Sequence, residues 1–183
     1  MKGDTGSPFA YQTGYDTNIG SPFESSSSTS RYALTQAIVE EQTFFLPLDA
    51  AKFSAPDLVY YHGKFISIFT PGVSFIGIPF YIIGKLFSVP QLITFFLNIF
   101  VAVINVFVIF SLIKKLSGSY LAGLIGGLVF LFATNALSYA FTYTQHHLSI
   151  VVLLGSIYIA LSNPRWWKSI ILGGLFGIGL LID

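Results

Sequence analysis

The sequence contains no cysteine and only one methionine. Disulfide scaffolds, thiol catalysis and Cys-ligated zinc or iron–sulfur sites are therefore excluded. Charge is scarce: 9 % of residues are Asp, Glu, Lys or Arg, where a soluble domain carries about 25 %. With 54 % hydrophobic residues and a mean hydropathy of +0.74, an ordinary soluble enzyme is ruled out. A formal net charge of +1 supplies no basic field for nucleic acid. No phosphate-cradling P-loop, HExxH or GxSxG sequence occurs, and there is no N-x-S/T acceptor.

The most informative absence is positional. Between Leu58 and Ile182 there is no carboxylate. Seven of the eight acids, Asp4, Asp16, Glu24, Glu40, Glu41, Asp49 and Asp57, lie in the first 57 residues, and the eighth is Asp183. Carboxylate chemistry must therefore come from the polar N-terminal part.

What is present after Pro90 is a series of apolar runs. Leu92–Ile113 and Tyr120–Phe141 are each 22 residues without a charge, enough to cross the ~30 Å of hydrocarbon that takes about 20 helical residues. The third run, Leu148–Ser162, has 15 residues and forms a third span, residues 147–162, only if it borrows His146, His147 and the Trp166–Trp167 pair at the interfaces. Residues 168–183 form a fourth, which stops with no cap or polar terminus after it. The sequence is therefore expected to be part of a longer chain. The fold class expected is all-α integral membrane, with about four transmembrane helices and an external region of short amphipathic or re-entrant helices.

Loop charge sets the expected orientation. Lys114 and Lys115 lie between the first two runs and Arg165 and Lys168 between the last two, while Thr142–Gln145 carries no charge. Basic loops mark the cytoplasmic side, so residues 142–147 and everything before Leu92 are expected outside a plasma membrane that the chain crosses several times.

The external part divides in two. Residues 1–30 are rich in Gly, Ser, Thr and Tyr and are expected to be a flexible polar segment, without the apolar core of a signal peptide. Residues 31–91 are the juxtamembrane region. Ser30 is placed to cap a short amphipathic helix through Leu34, Ala37, Ile38 and Glu41 that ends before Pro47, its apolar stripe on the membrane surface. Phe65–Gly84 is apolar but contains Pro71, Gly72, Gly77, Pro79 and Gly84. It either crosses or dips into the outer interface. Two interior prolines favour an interfacial, broken segment.

The stretches SRYALTQAIVEEQTFFLP and DLVYYHGKFISIFTPGVSFIGIPFYIIGKLF, followed by paired helices with a basic turn, resemble GT-C polytopic membrane glycosyltransferases of the protein O-mannosyltransferase and aminoarabinose-transferase type. The likeness spans about Ser30 to Leu161. Its most specific parts are Arg31-Tyr32, Gly63-Lys64 and Pro71-Gly72. The resemblance implies transfer of a sugar from a polyprenyl-phosphate donor to a lipid, glycan or protein acceptor at the outer membrane face, with inversion, a carboxylate acting as general base. Where that family carries an acid beside Arg-Tyr, this chain has Ser28, Thr29 and Ser30, and the nearest upstream carboxylate is Glu24.

Each candidate has a plainer alternative. Asp57, followed by two Tyr, His62, Gly63 and Lys64, offers a carboxylate, an imidazole and an ammonium in one segment; otherwise Asp57 caps a turn after Pro56 and Lys64 snorkels. Glu24 is a second candidate base or a solvated loop charge. Arg31 and Lys64 are candidate donor-phosphate ligands, Arg31 alternatively a salt-bridge partner of Glu24 or Glu40. His146 and His147 could hold a divalent metal, the one cofactor expected, with Glu24 or Asp57; otherwise their rings pack at the interface. Neighbouring helical residues point about 100° apart, so one His at most faces a common site. Asn98 and Asn105, and the glycine pairs Gly123/Gly127 and Gly173/Gly177, have the spacing of helix-packing contacts. A different class also fits: a small non-catalytic membrane transporter or assembly subunit.

Overall fold

The computed structural model describes residues 26–183; Glu24 and the rest of the N-terminal segment lie outside the described residues. The fold is mostly helical, but it is not all-α, because a small three-stranded sheet is present. The chain divides into two compact units. The first takes in the described residues up to Phe95 together with Thr142–Thr144, and the second Phe96–Phe141 and Gln145–Asp183.

The first unit is organised around helix α1, Ser26–Glu40. Ala33, Leu34 and Ala37 fall on one helical face and are buried with Leu46, Ala51, Ala55 and Leu58. These partners come from strand β1 (Phe45–Leu46), helix α2 (Leu48–Ser54) with Ala55 as its C-cap, and strand β2 (Leu58–Tyr61). The stripe expected to lie on a membrane is thus covered by the chain itself. The helix ends where Gln42 adopts a left-handed φ of 52° and the Thr43 amide reaches back to the Ala37 carbonyl at 3.4 Å, a Schellman-type stop.

Strand β3 (Lys64–Ser67) pairs antiparallel with β1 on one side and β2 on the other. Leu58 lies opposite Ser67 and Tyr61 opposite Lys64, so β2 and β3 form a hairpin closed by His62 and Gly63. Both have positive φ, 47° and 79°, the conformation of a two-residue type I′ turn. Across the hairpin the Tyr60 and Phe65 rings sit 4.9 Å apart.

Helix α3, Gly72–Leu86, starts directly after Pro71 and runs unbroken through Pro79. The first part of the expected Phe65–Gly84 membrane segment is therefore a strand, and the helix that remains is about 22 Å long, shorter than the hydrocarbon core. It turns sharply into helix α4, Pro90–Ser117. A side chain at Gly84 would lie 2.6 Å from the Pro90 Cα, so glycine permits the turn.

Helix α4 has 28 residues and a mean hydropathy of 2.7 over its most apolar window, and among the described residues it alone is long and apolar enough to cross a membrane. Helices α5 (Tyr120–Phe132), α7 (His146–Ala160) and α8 (Trp166–Ile182) are apolar but shorter. The expected 120–141 span is interrupted: α5 stops at Phe132 and a short α6 follows at Ala136–Ala140. Between them the Thr134 hydroxyl donates to the Phe130 carbonyl at 2.5 Å and accepts the Ala136 amide at 3.1 Å, replacing helical bonds with side-chain ones.

Within the second unit, α5 packs closely on α4 through its glycines. A Cβ at Gly123 would come 2.7 Å from the Phe110 carbonyl oxygen, and one at Gly127 would come 3.1 Å from Val106 Cγ1. The second glycine pair does not act this way, since nothing lies within 4 Å of a Cβ built at Gly173 or Gly177.

Candidate functional site

The feature that sets the first unit apart is a layer of buried polar groups along α1. Ser28, Thr29, Ser30, Arg31 and Thr35 are all buried, as are Ser67, Ser74, Tyr143 and Thr144. Buried hydroxyls are costly unless bonded, and here they bond to one another and to the backbone. The Ser30 hydroxyl donates to the Asp57 carbonyl at 2.8 Å and shares a second 2.8 Å hydrogen bond with the Ser67 hydroxyl. Ser30 is therefore not the cap of the helix but a tie from its interior to the base of the hairpin.

At the next residue, the Arg31 carbonyl accepts the hydroxyls of Thr35 and Ser74, both at 2.9 Å. The Tyr143 hydroxyl donates to the Val73 carbonyl at 3.0 Å and lies 3.1 Å from Thr35 Oγ1, while the Tyr143 amide donates to Ser28 Oγ at 3.1 Å. A Cβ at Gly77 would fall 1.8 Å from the Tyr143 oxygen. Burial pushes the Tyr143 phenol well above its ordinary range.

Arg31 is 2 % exposed. Its guanidinium lies 3.8 Å over the Phe69 ring and donates through Nη1 to the Ser27 carbonyl at 3.1 Å. It is held by an aromatic face and a carbonyl in the interior of the unit rather than displayed on a surface.

Asp57 is half-buried in the turn after the Ala55–Pro56 bond, its amide donating to the Ser54 carbonyl at 3.0 Å. The hairpin carries Lys64 away from it. Asp57 precedes the base of β2 and Lys64 stands at the tip opposite Tyr61, about 13 Å along the strands. Lys64 is exposed, its ammonium 4.0 Å over the Phe45 ring, and His62 packs edge-on to Tyr61. The segment that looks compact in sequence is thus spread over the length of a hairpin. Asp57 is brought beside the Ser30–Arg31 turn of α1, and Lys64 is not.

A second polar cluster joins α1 to α3. The Tyr81 hydroxyl donates to Glu40 Oε1 at 2.6 Å, and Lys85 Nζ lies 3.1 Å from the same oxygen. The Tyr81 hydrogen bond, then Lys85, lowers the Glu40 carboxyl below its usual value. Tyr32, whose ring is 5.8 Å from that of Tyr81, has its phenol pushed up to about 12, first by burial and then by the charge of Glu40. Glu40 is thus the ion-pair partner of Lys85; Glu24, the other expected partner of Arg31, lies outside the described residues. Sequence spacing concealed this because Glu40 and Lys85 are far apart in the chain.

The histidine doublet belongs to the second unit. His147 is fully buried. Its Nδ1 lies 3.1 Å from Asn105 Nδ2, and the same amide donates to the His147 carbonyl at 2.9 Å. Nδ1 is then the acceptor, so Nε2 carries the proton and donates to the Ala136 carbonyl at 2.8 Å. With both ring nitrogens engaged, His147 does not fit a metal-ligand role. His146 is half-buried with its ring 4.1 Å from that of Tyr139. Among the described residues no three His, Asp or Glu side chains converge as a metal site. Asn105 is the helix-bridging residue its spacing suggested.

No protein-family model matches the chain, and neither does any curated protein or solved structure.

Proposed function

We propose that the chain forms part of a multi-pass plasma-membrane glycosyltransferase that moves a sugar from a polyprenyl-phosphate donor to a lipid, glycan or protein acceptor at the extracytoplasmic face. The supporting observation is a folded polar unit in which the half-buried Asp57 is tied through its backbone carbonyl to Ser30, the chain neighbour of the buried Arg31, and whose chain continues into a 28-residue apolar helix. A donor with its phosphate at the membrane surface and its polyprenyl tail in the bilayer needs that combination. On this reading α4, α5 with α6, α7 and α8 contribute four membrane passes, the shorter ones completed by interfacial residues, and α3 lies at the outer interface.

Asp57 is the base in this scheme. Its carboxylate takes the proton from the acceptor hydroxyl or amine as the acceptor oxygen or nitrogen bonds to the anomeric carbon from the face opposite the phosphate. The carbon–oxygen bond to the polyprenyl phosphate breaks, the phosphate leaves as the anion, and the anomeric configuration inverts. Glu24 remains the second candidate base. A cation must stabilise the leaving phosphate; Lys64 is the exposed candidate. Arg31, stacked on Phe69 and bonded to Ser27, acts better by fixing the Ser27–Arg31 turn against which Asp57 is tied. No step here runs through a divalent metal.

The test is transfer of labelled sugar from a polyprenyl-phosphate donor by full-length protein, compared with Asp57→Asn and Glu24→Gln. Loss of turnover by two or more orders of magnitude in Asp57→Asn, with folding intact, is the expected result; retained turnover in both variants refutes the assignment of the base. The alternative reading, a non-catalytic transporter or assembly subunit, draws on the close Gly123 and Gly127 packing and the Asn105–His147 bridge. It requires that the unsubstituted protein transfer no sugar.

A further inference from the structure

The second unit carries its cations at one end. Lys115 at the end of α4 lies 4.8 Å over the Tyr158 ring of α7, and Lys114 lies 3.5 Å over the Tyr120 ring at the start of α5. One helical turn beyond Tyr158, Ser162 accepts a hydrogen bond from Lys168 Nζ at 2.5 Å, and the Asn163 carbonyl accepts another at 2.7 Å. Lys115 and Lys168 therefore meet the same end of α7, and with them Lys114 and Arg165, their chain neighbours.

Nothing in this unit neutralises them. Its one carboxylate, Asp183, accepts the hydroxyl of Ser149 at 3.4 Å, at the start of α7 and so at the other end of a helix about 22 Å long. At the basic end there is a cavity of about 650 Å³ at the α7–α8 turn, whose lining includes the polar Ser162, Arg165 and Lys168 and the apolar Ile159, Trp166 and Leu172. Among the described residues the Arg165 guanidinium makes no hydrogen bond or ion pair. Lys168 is already fixed by two acceptors, which orders it for a further contact with its remaining donor.

We propose that this cavity binds the phosphodiester headgroup of an anionic phospholipid of the inner leaflet. A phosphodiester matches the planar guanidinium and the ammonium, Trp166 suits the interfacial level, and the apolar lining residues receive the glycerol and the first acyl methylenes. The four-cation field draws anionic lipid to that end, each cation adding to the attraction. A soluble phosphate would use the charges but not the apolar lining residues. The proposal rests on the membrane reading of the second unit and is independent of any transferase activity.

The experiment reconstitutes the full chain in nanodiscs of phosphatidylcholine and phosphatidylglycerol at a 7:3 ratio, a composition set by design, and measures motional restriction of spin-labelled phosphatidylglycerol against spin-labelled phosphatidylcholine. The expected result is about a fivefold preference for the anionic lipid, lost in Arg165→Gln/Lys168→Gln, reduced in Arg165→Lys, which keeps the charge but not the planar fork, and kept in Lys85→Gln, which removes a cation of the first unit. Equal restriction of the two lipids, or a preference unchanged in the double variant, overturns it. So does displacement of the labelled lipid by millimolar glycerol phosphate, which would make the site one for a soluble anion. A chain washed from membranes by carbonate would overturn the membrane reading itself, whereas insertion without lipid preference would overturn only this proposal.

Discussion

The hydroxyl of Tyr143 occupies the space that a side chain at Gly77 would need: a Cβ there would stand 1.8 Å from the phenol oxygen. Tyr143 comes from a short loop between apolar runs and Gly77 from the middle of α3, yet the two meet at the point where Thr35 and Val73 hold the phenol. Gly77→Ala should therefore force the ring out and destabilise the first unit by about 1–3 kcal/mol. Tyr143→Phe, which leaves the Val73 carbonyl and Thr35 without that partner, should cost about 1–2 kcal/mol. In a Tyr143→Ala background Gly77→Ala should lose most of its effect, so thermal unfolding of the four proteins of the cycle gives a coupling well above zero. An additive cycle would contradict the packing.

These same residues mark where the sequence is and is not legible. Helix α4 could be read directly, because 22 residues without a charge admit little else. The α1 helix could also be read from Leu34, Ala37 and Ile38, but not what covers its apolar face, since a stripe looks the same against a membrane or a sheet. The hairpin had a local signal, Val, Tyr and Tyr before His62–Gly63 and Phe and Ile after it. It was obscured by the apolar run that follows, which draws the strand into a supposed membrane segment. Ser30 resembles an N-cap from its neighbours alone, and its bonds to Asp57 and Ser67 exist only once the hairpin is folded. Tyr143 had no local signal, because its partners are distant in the chain.

Gln42 stands at the stop of α1 with a left-handed φ of 52°, where a Cβ is disfavoured and glycine is the usual residue. Gln42→Gly should stabilise the first unit by about 1 kcal/mol, with the gain appearing as slower amide exchange at the end of α1. A loss of stability would mean that the exposed Gln42 side chain contributes more than its backbone strain costs.

Acid should loosen the contact between α1 and α3. Glu40 has its carboxyl lowered by the Tyr81 hydroxyl and by Lys85, so its contribution is complete above its unfolded-state value and is lost as pH falls through the lower folded-state value. Because Lys85 and Glu40 are partly exposed, solvent screening limits the contribution to about 1 kcal/mol. The stability difference between the protein and Glu40→Gln should be constant from neutral pH down to about 5 and shrink below that. A difference that stays flat to pH 3 would show that the carboxylate charge plays no part.

Asn105 and His147 make the most specific polar contact inside the second unit, two hydrogen bonds from one side-chain amide. Asn105→Ala would leave the His147 ring nitrogen and carbonyl without those donors in an apolar setting and should cost about 1–2 kcal/mol. His147→Ala should cost a similar amount, by leaving the amide of Asn105 without its ring acceptor and opening a cavity beside Ala136. The two losses should overlap strongly in the double variant, measured as thermal unfolding in detergent. Metal content separates this packing role from a ligand role. Protein purified without chelator should carry the same zinc and manganese with and without His147→Ala, since both ring nitrogens are already engaged. A stoichiometric metal lost with that substitution would require the ring to release Ala136 or Asn105 and would restore the histidine to the candidate metal ligands.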